Sequence, residues 1–134
     1  MLSREMHIKS QSEIIDAGKC DEQIVVALVT AGALVAVADR NVCPIERDEV
    51  VNYIKERRLV PGFAGPCIAA LFDERARLLQ EPDFLNVVID ALRSVPRLSL
   101  SSDVIEIAER VAAADRHFDL CEQRAIKLIR LIAM

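Results

Sequence analysis

The sequence predicts an all-α fold, a compact helical bundle of about six to seven helices. The chain is 52% hydrophobic but only 4% aromatic, so its core must be built from Val, Leu, Ile and Ala. Apolar residues recur at helical spacing, and no segment alternates with period two for long enough to predict a sheet. An internal repeat also relates two helix–loop–helix segments. These observations favour helices packed on helices within 134 residues, the size of one ordinary domain.

The chain divides into an N-terminal arm or weakly docked helix over residues 1–20 and a single all-α domain over 21–134. Asp21 is a suitable N-cap for a helix that continues to residue 38. Because this helix is apolar on nearly all sides from residue 24 onward, we expect it to be buried at the centre of the domain.

The later helices follow from prolines, caps and apolar spacing. Pro44 fits the first position of a helix, where its missing N–H costs nothing. Ser101 and Ser102 are predicted caps of a later helix, and Asp119 opens the last one. The predicted helices cover residues 44–58, 66–80, 82–94, 102–115 and 120–134.

The overall charge argues against two classes of partner. With a net charge of −4 and a pI near 5.2, the chain has no electrostatic reason to bind nucleic acid or an anionic membrane surface. The longest apolar stretch, 24–38, is shorter than the ~20 residues that a membrane span needs. The four cysteines form no CxxC pair and are predicted to be free, buried thiols, with disulfides or zinc as alternatives. We therefore expect a cytoplasmic protein.

The internal repeat appears when the chain is shifted by 76 positions. Residues 35–40 (VAVADR) then lie over residues 111–116 (VAAADR). Seven residues after each aspartate comes a glutamate, Glu46 in the first half and Glu122 in the second. The flanking segments match in character, so the sequence predicts a pseudo-two-fold pair of helix–loop–helix units.

The repeated loops carry oxygen ligands at short spacing. Ca²⁺ and Mg²⁺ prefer such carboxylate oxygens, although the loops are too short for an EF-hand. The predicted metal ligands are Asp39, Glu46, Asp115, Asp119 and Glu122. A divalent cation of the Ca²⁺ or Mg²⁺ class is therefore the candidate cofactor.

A purely structural role explains the same residues. Asp39 and Asp115 can accept backbone N–H groups and fold their loops as Asx-turns. Asp119 and Glu122 are spaced as a capping box, in which the glutamate reaches back to the N–H of the cap. Both interpretations remain open at this point.

The chain contains none of the common catalytic or nucleotide-binding motifs. GxSxG, P-loop, GxGxxG and HExxH patterns are all absent from the sequence. The sequence therefore predicts no catalytic and no organic-cofactor residues. A carboxylate cluster holding a catalytic metal is the remaining route to an enzyme.

At the two loops the chain resembles the tellurite-resistance TerB-like family. The family motif is an Ala-rich helix ending in Ala-Asp, with a glutamate opening the next helix, and it occurs here at 37–42 with Glu46 and at 113–118 with Glu122. Arg40 and Arg116 stand where the family usually has glycine, which would make a left-handed turn more costly. The resemblance implies a pseudo-symmetric helical fold and a bacterial, stress-associated module. It also implies action through divalent-cation binding and protein association.

The preferred hypothesis is therefore a non-enzymatic module with a protein partner, and self-association into a homo-oligomer stays open. The alternatives are a structural adaptor without metal and, less favoured, a metal-dependent enzyme.

Overall fold

The structure is a computed structural model, and it describes residues 22–38, 42, 44–94, 97–114 and 120–133, with only the backbone at 97–100 and 133. This part of the chain contains six helices and no strand, which confirms the predicted all-α class. The helices are α1 (22–37), α2 (Pro44–Glu56), α3 (Gly65–Leu78), α4 (Phe84–Arg93), α5 (Arg97–Ala114) and α6 (Leu120–Ala133). The predicted arm over residues 1–20 lies outside the described residues.

Helix α1 forms the centre of the domain, as its sequence predicts. Every residue from 27 to 36 is buried. At Gly32 the helix comes so close to α2 that an added Cβ would lie 2.5 Å from Cγ2 of Val50 and 3.5 Å from Cγ2 of Val111 on α5. Within the described part of the chain, no helix is both long and apolar enough to cross a bilayer.

The other helices pack around α1 through two sets of neighbours. Helix α2 packs on α3 and α5, while α6 packs on α4 and α5. Surface ion pairs also cross these interfaces: Arg47 on α2 lies 3.2 Å from Asp73 on α3, and Arg130 on α6 lies 2.7 Å from Glu109 on α5. Because both pairs are solvent-exposed, the apolar core rather than these pairs supplies most of the stability.

Helix α2 ends in a Schellman motif. The N–H of Leu59 donates to the carbonyl of Ile54 over 3.3 Å, and the N–H of Arg58 donates to Lys55 over 3.2 Å. Arg58 takes the left-handed conformation that this motif requires, with φ of 51°. Glycine is preferred at this position because any Cβ is strained there.

The start of α5 differs from the prediction. The helix begins at Arg97, so Ser101 and Ser102 lie inside it, and their prediction as N-caps is wrong. Pro96 precedes the helix in the sequence, and proline favours the start of a helix because its fixed φ already suits one. Because the helix starts directly after the proline, the two serines are its fifth and sixth residues and cannot cap its start.

Two cysteines also differ from the prediction. Cys67 and Cys121 are free, as predicted, but both are exposed rather than buried. Cys67 is the third residue of α3 and Cys121 is the second residue of α6, so both lie in the first turn of a helix. Cys20 and Cys43 lie outside the described residues.

Candidate functional site

Two glutamates with no solvent exposure occupy matching places in the fold. Glu46 is the third residue of α2 and Glu122 is the third residue of α6, and both are 0% exposed. The two helices themselves begin 76 positions apart, at Pro44 and Leu120. The spacing found in the sequence is thus kept in the helix boundaries and in the burial of the glutamates.

Burying a carboxylate is unfavourable unless other groups compensate its charge. A carboxylate transferred from water into the protein interior loses its hydration, and it needs hydrogen bonds, an opposite charge or a metal in exchange. The first turn of a helix provides unpaired N–H groups and the positive end of the helix dipole. Glu46 and Glu122 both lie in such a turn, and both make polar or electrostatic interactions within the chain.

The other predicted ligands are not described by the structure. Asp39, Asp115 and Asp119 all fall in the loops outside the described residues. Within the described ranges, no group of three or more His, Cys, Asp or Glu side chains is arranged to hold a metal ion. Glu46 and Glu122 are therefore the two predicted ligands whose positions are known, and the complete ligand set stays a prediction.

Apolar side chains stand exposed next to both glutamates along the chain. Ile45 is 58% exposed beside Glu46, and Leu120 is 60% exposed two residues before Glu122. Val42, which precedes α2, is 38% exposed. Leu85 and Leu131 are the other large apolar side chains exposed in the described part of the chain, and they lie away from the two glutamates in the sequence.

A second polar site joins α2 to α5 around Tyr53. The phenolic oxygen of this fully buried residue lies 2.7 Å from Oε2 of Glu106 and 2.9 Å from Oδ1 of Asp103. The guanidinium carbons of Arg57 and Arg110 lie 5.2 and 5.1 Å from the centre of its ring, within cation–π range. Arg57 also pairs with Glu106, so charges of both signs meet at one aromatic side chain.

The surroundings of Tyr53 favour its neutral form. Burial raises the pKa of the phenol above its ordinary value, and its hydrogen bonds to Glu106 and Asp103 raise the pKa further. Because the hydroxyl has a single proton, it donates to one of the two carboxylates at a time. The group is therefore a hydrogen-bond donor, and it is unsuited to act as a base or a nucleophile at neutral pH.

Sequence reasoning did not identify this polar cluster. Tyr53 fits the apolar spacing of α2, so its position in the sequence gives no polar signal by itself. A signal was present: Glu49, Tyr53 and Arg57 are spaced four apart and share one face of a helix. Arg110, on α5, lies 2.6 Å from Oε1 of Glu49, so this face packs against α5 through charges.

Comparison with known protein families gives a match over most of the chain. The family model described as "Tellurite resistance protein TerB" matches residues 25–133, which include both repeated loops and nearly all of the six helices. No curated protein and no solved structure gives a significant match.

Proposed function

Since this chain belongs to the tellurite resistance protein TerB family, we propose that it is a non-enzymatic, stress-associated module of the bacterial cytoplasm. In this proposal the module binds a divalent cation and acts through association with a protein partner. Family membership supports the link to tellurite resistance. The observation that carries the cation proposal is the equivalent, complete burial of Glu46 and Glu122 at the starts of α2 and α6.

The proposed cation sites combine each glutamate with the aspartates of its loop. Asp39 precedes Glu46 by seven residues, and Asp115 precedes Glu122 by seven, with Asp119 between the latter two. Carboxylate oxygens at such spacing suit Ca²⁺ or Mg²⁺. A bound cation would compensate the charge of a buried glutamate more completely than the end of a helix alone.

The proposed partner surface is the exposed apolar group beside the loops. Val42, Ile45 and Leu120 all lie within four residues of a buried glutamate. A cation bound between a glutamate and the aspartates of its loop would also fix the neighbouring apolar side chains for contact with a partner. This arrangement would make partner association respond to the cation.

The experiment that tests the proposal is a calorimetric titration of chelator-stripped protein with Ca²⁺, Mg²⁺, Mn²⁺ and Zn²⁺. Wild type is compared with the double variant Asp39→Asn/Asp115→Asn, and with Asp90→Asn as a matched control on an exposed acid outside the loops. We expect saturable binding that the double variant loses and the control keeps. If none of the four cations binds, or if the double variant still binds a cation as wild type does, the cation proposal is wrong.

Glutamine variants separate a ligand from a helix cap. Glu46→Gln and Glu122→Gln keep the shape of the side chain but remove its charge. If the glutamates are ligands, the variants lose cation affinity and keep the melting temperature of wild type in chelator. If the glutamates serve only as caps, cation affinity is unchanged, and the melting temperature in chelator falls by no more than the lost charge–dipole interaction, about 0.3–1 kcal/mol, because glutamine also caps at this position.

A further inference from the structure

An apolar cavity that opens widely to solvent lies between the C-terminal end of α1, the turn that follows α3 and the first half of α6. Its volume is about 300 Å³, within the range of small-molecule sites. A second cavity, of about 670 Å³, adjoins it and shares part of its wall. The apolar lining of the first cavity includes Leu34, Val37, Leu79, Phe84 and Leu128.

Arg124 supplies the one cationic group among the described residues that line the first cavity. The side chain is exposed, and it has no ion-pair partner in the part of the chain that the structure describes. Its guanidinium is therefore available to a ligand. Glu81 lines the adjoining cavity, so the two ends of the combined space differ in charge.

We propose that this cavity binds a small amphipathic monoanion, a straight-chain carboxylate whose chain enters the apolar space and whose head group pairs with Arg124. Contact with the apolar wall favours the chain by removing it from water. The guanidinium recognises a carboxylate through charge-assisted hydrogen bonds. Glu81 repels an anion at the far end, so the ligand is oriented with its head group at α6.

The cavity contains its own reporter, because Cys121 lines it and is an exposed free thiol. Cys67 is a second exposed free thiol that is not among the residues lining the cavity, so it serves as an internal control. The experiment measures the alkylation rate of each thiol by site-resolved mass spectrometry, on full-length protein in chelator, with and without decanoate. At a decanoate concentration ten times the Kd, we expect alkylation of Cys121 to slow about tenfold, while that of Cys67 stays unchanged.

A variant and a neutral ligand test the role of the charge. Arg124→Gln is expected to weaken decanoate about tenfold, and Arg93→Gln, an exposed arginine on α4, is expected to leave its affinity unchanged. Decanol has the same chain without the carboxylate, so it should bind wild type more weakly and should not distinguish wild type from Arg124→Gln.

Each of the opposite outcomes overturns the inference. Equal protection of both thiols would indicate a general effect of the amphiphile, and equal affinity for decanol and decanoate would leave Arg124 without a role. Protection of Cys121 that rises with protein concentration in the absence of decanoate would assign the cavity to a second copy of the chain. Because every arm is run in chelator, the result is independent of the cation proposal.

Discussion

The hydroxyl of Tyr53 on α2 lies 2.7 Å from Oε2 of Glu106 on α5, at an interface that also carries ion pairs. Arg57 pairs with the same Glu106, and Arg110 pairs with Glu49 on α2. The interface is therefore held by packing and also by a hydrogen bond that exists only while the phenol keeps its proton. This dependence makes the stability of the domain sensitive to alkaline pH.

We predict that the free energy of unfolding falls above pH 10. The pKa of Tyr53 is raised in the folded protein, so above pH 10 the unfolded chain binds fewer protons than the folded one. The stabilisation that comes from the protonated phenol is complete below pH 10, the ordinary pKa of tyrosine. As the pH rises from 10 to the pKa of the folded protein, this stabilisation falls by about 1.4 kcal/mol per pH unit. Urea unfolding at a series of pH values measures this loss of stability.

The matched control for this prediction is Tyr53→Phe. This variant should lose about 1–3 kcal/mol at neutral pH, because the hydrogen bond from the phenol to a charged carboxylate is lost, and it should lack the alkaline slope of wild type. Tyr53 is the only tyrosine in the chain, so the absorbance of phenolate reports it alone. A phenol that titrates at pH 10 in the folded protein would contradict the prediction.

We predict that Gly32→Ala destabilises the domain by about 1–3 kcal/mol. The new methyl group would lie 2.5 Å from Cγ2 of Val50, which is closer than two carbons can approach, so α1 or α2 must shift. Gly62→Ala is the control, because no atom lies within 4 Å of the Cβ position there. The midpoints of chemical denaturation of the two variants measure the difference, and equal midpoints would show that α1 and α2 separate at no cost.

We predict that Thr30→Val stabilises the domain by about 1 kcal/mol. Thr30 is fully buried in α1, and its hydroxyl finds no hydrogen-bond partner among the residues that the structure describes. Valine keeps the shape and removes the polar group, whereas Thr30→Ala also leaves a void and should destabilise. A lower melting temperature for Thr30→Val than for wild type would show that the hydroxyl has a partner.

We predict that Arg58→Gly stabilises the domain by about 0.5–1 kcal/mol. Glycine relieves the strain of a left-handed residue at the end of α2, and this gain exceeds the entropy that glycine adds to the unfolded chain. The same substitution at Arg77, an exposed residue in the last turn of α3, should instead destabilise, by at most about 1 kcal/mol. Thermal unfolding of the pair tests whether the two effects have opposite signs.

The approximate positions of the helices and the central place of α1 could be predicted from the sequence, because apolar residues at helical spacing indicate which face of a helix is buried. Glu46 and Glu122 could be identified as special because they recur at a fixed distance from repeated aspartates. Their complete burial could not be predicted, since a capping glutamate at a surface and a buried one have the same local sequence.

The Tyr53 cluster shows what local patterns leave out. The spacing of Glu49, Tyr53 and Arg57 predicts a shared helix face, but the partner face comes from α5, about 50 residues away. The prediction that Cys121 is buried was wrong for a related reason. Its exposure depends on how α6 packs against α1 and on the turn after α3. Contacts between distant segments decide both cases.

The position of α1 at the centre has a consequence during synthesis on the ribosome. Gly32 packs against Val111, a residue translated 79 positions later. At ~5–20 residues per second, the central helix waits ~4–16 s for that neighbour to be made. During this interval an almost wholly apolar segment lacks its final covering, and transiently exposed apolar surface of this kind promotes aggregation.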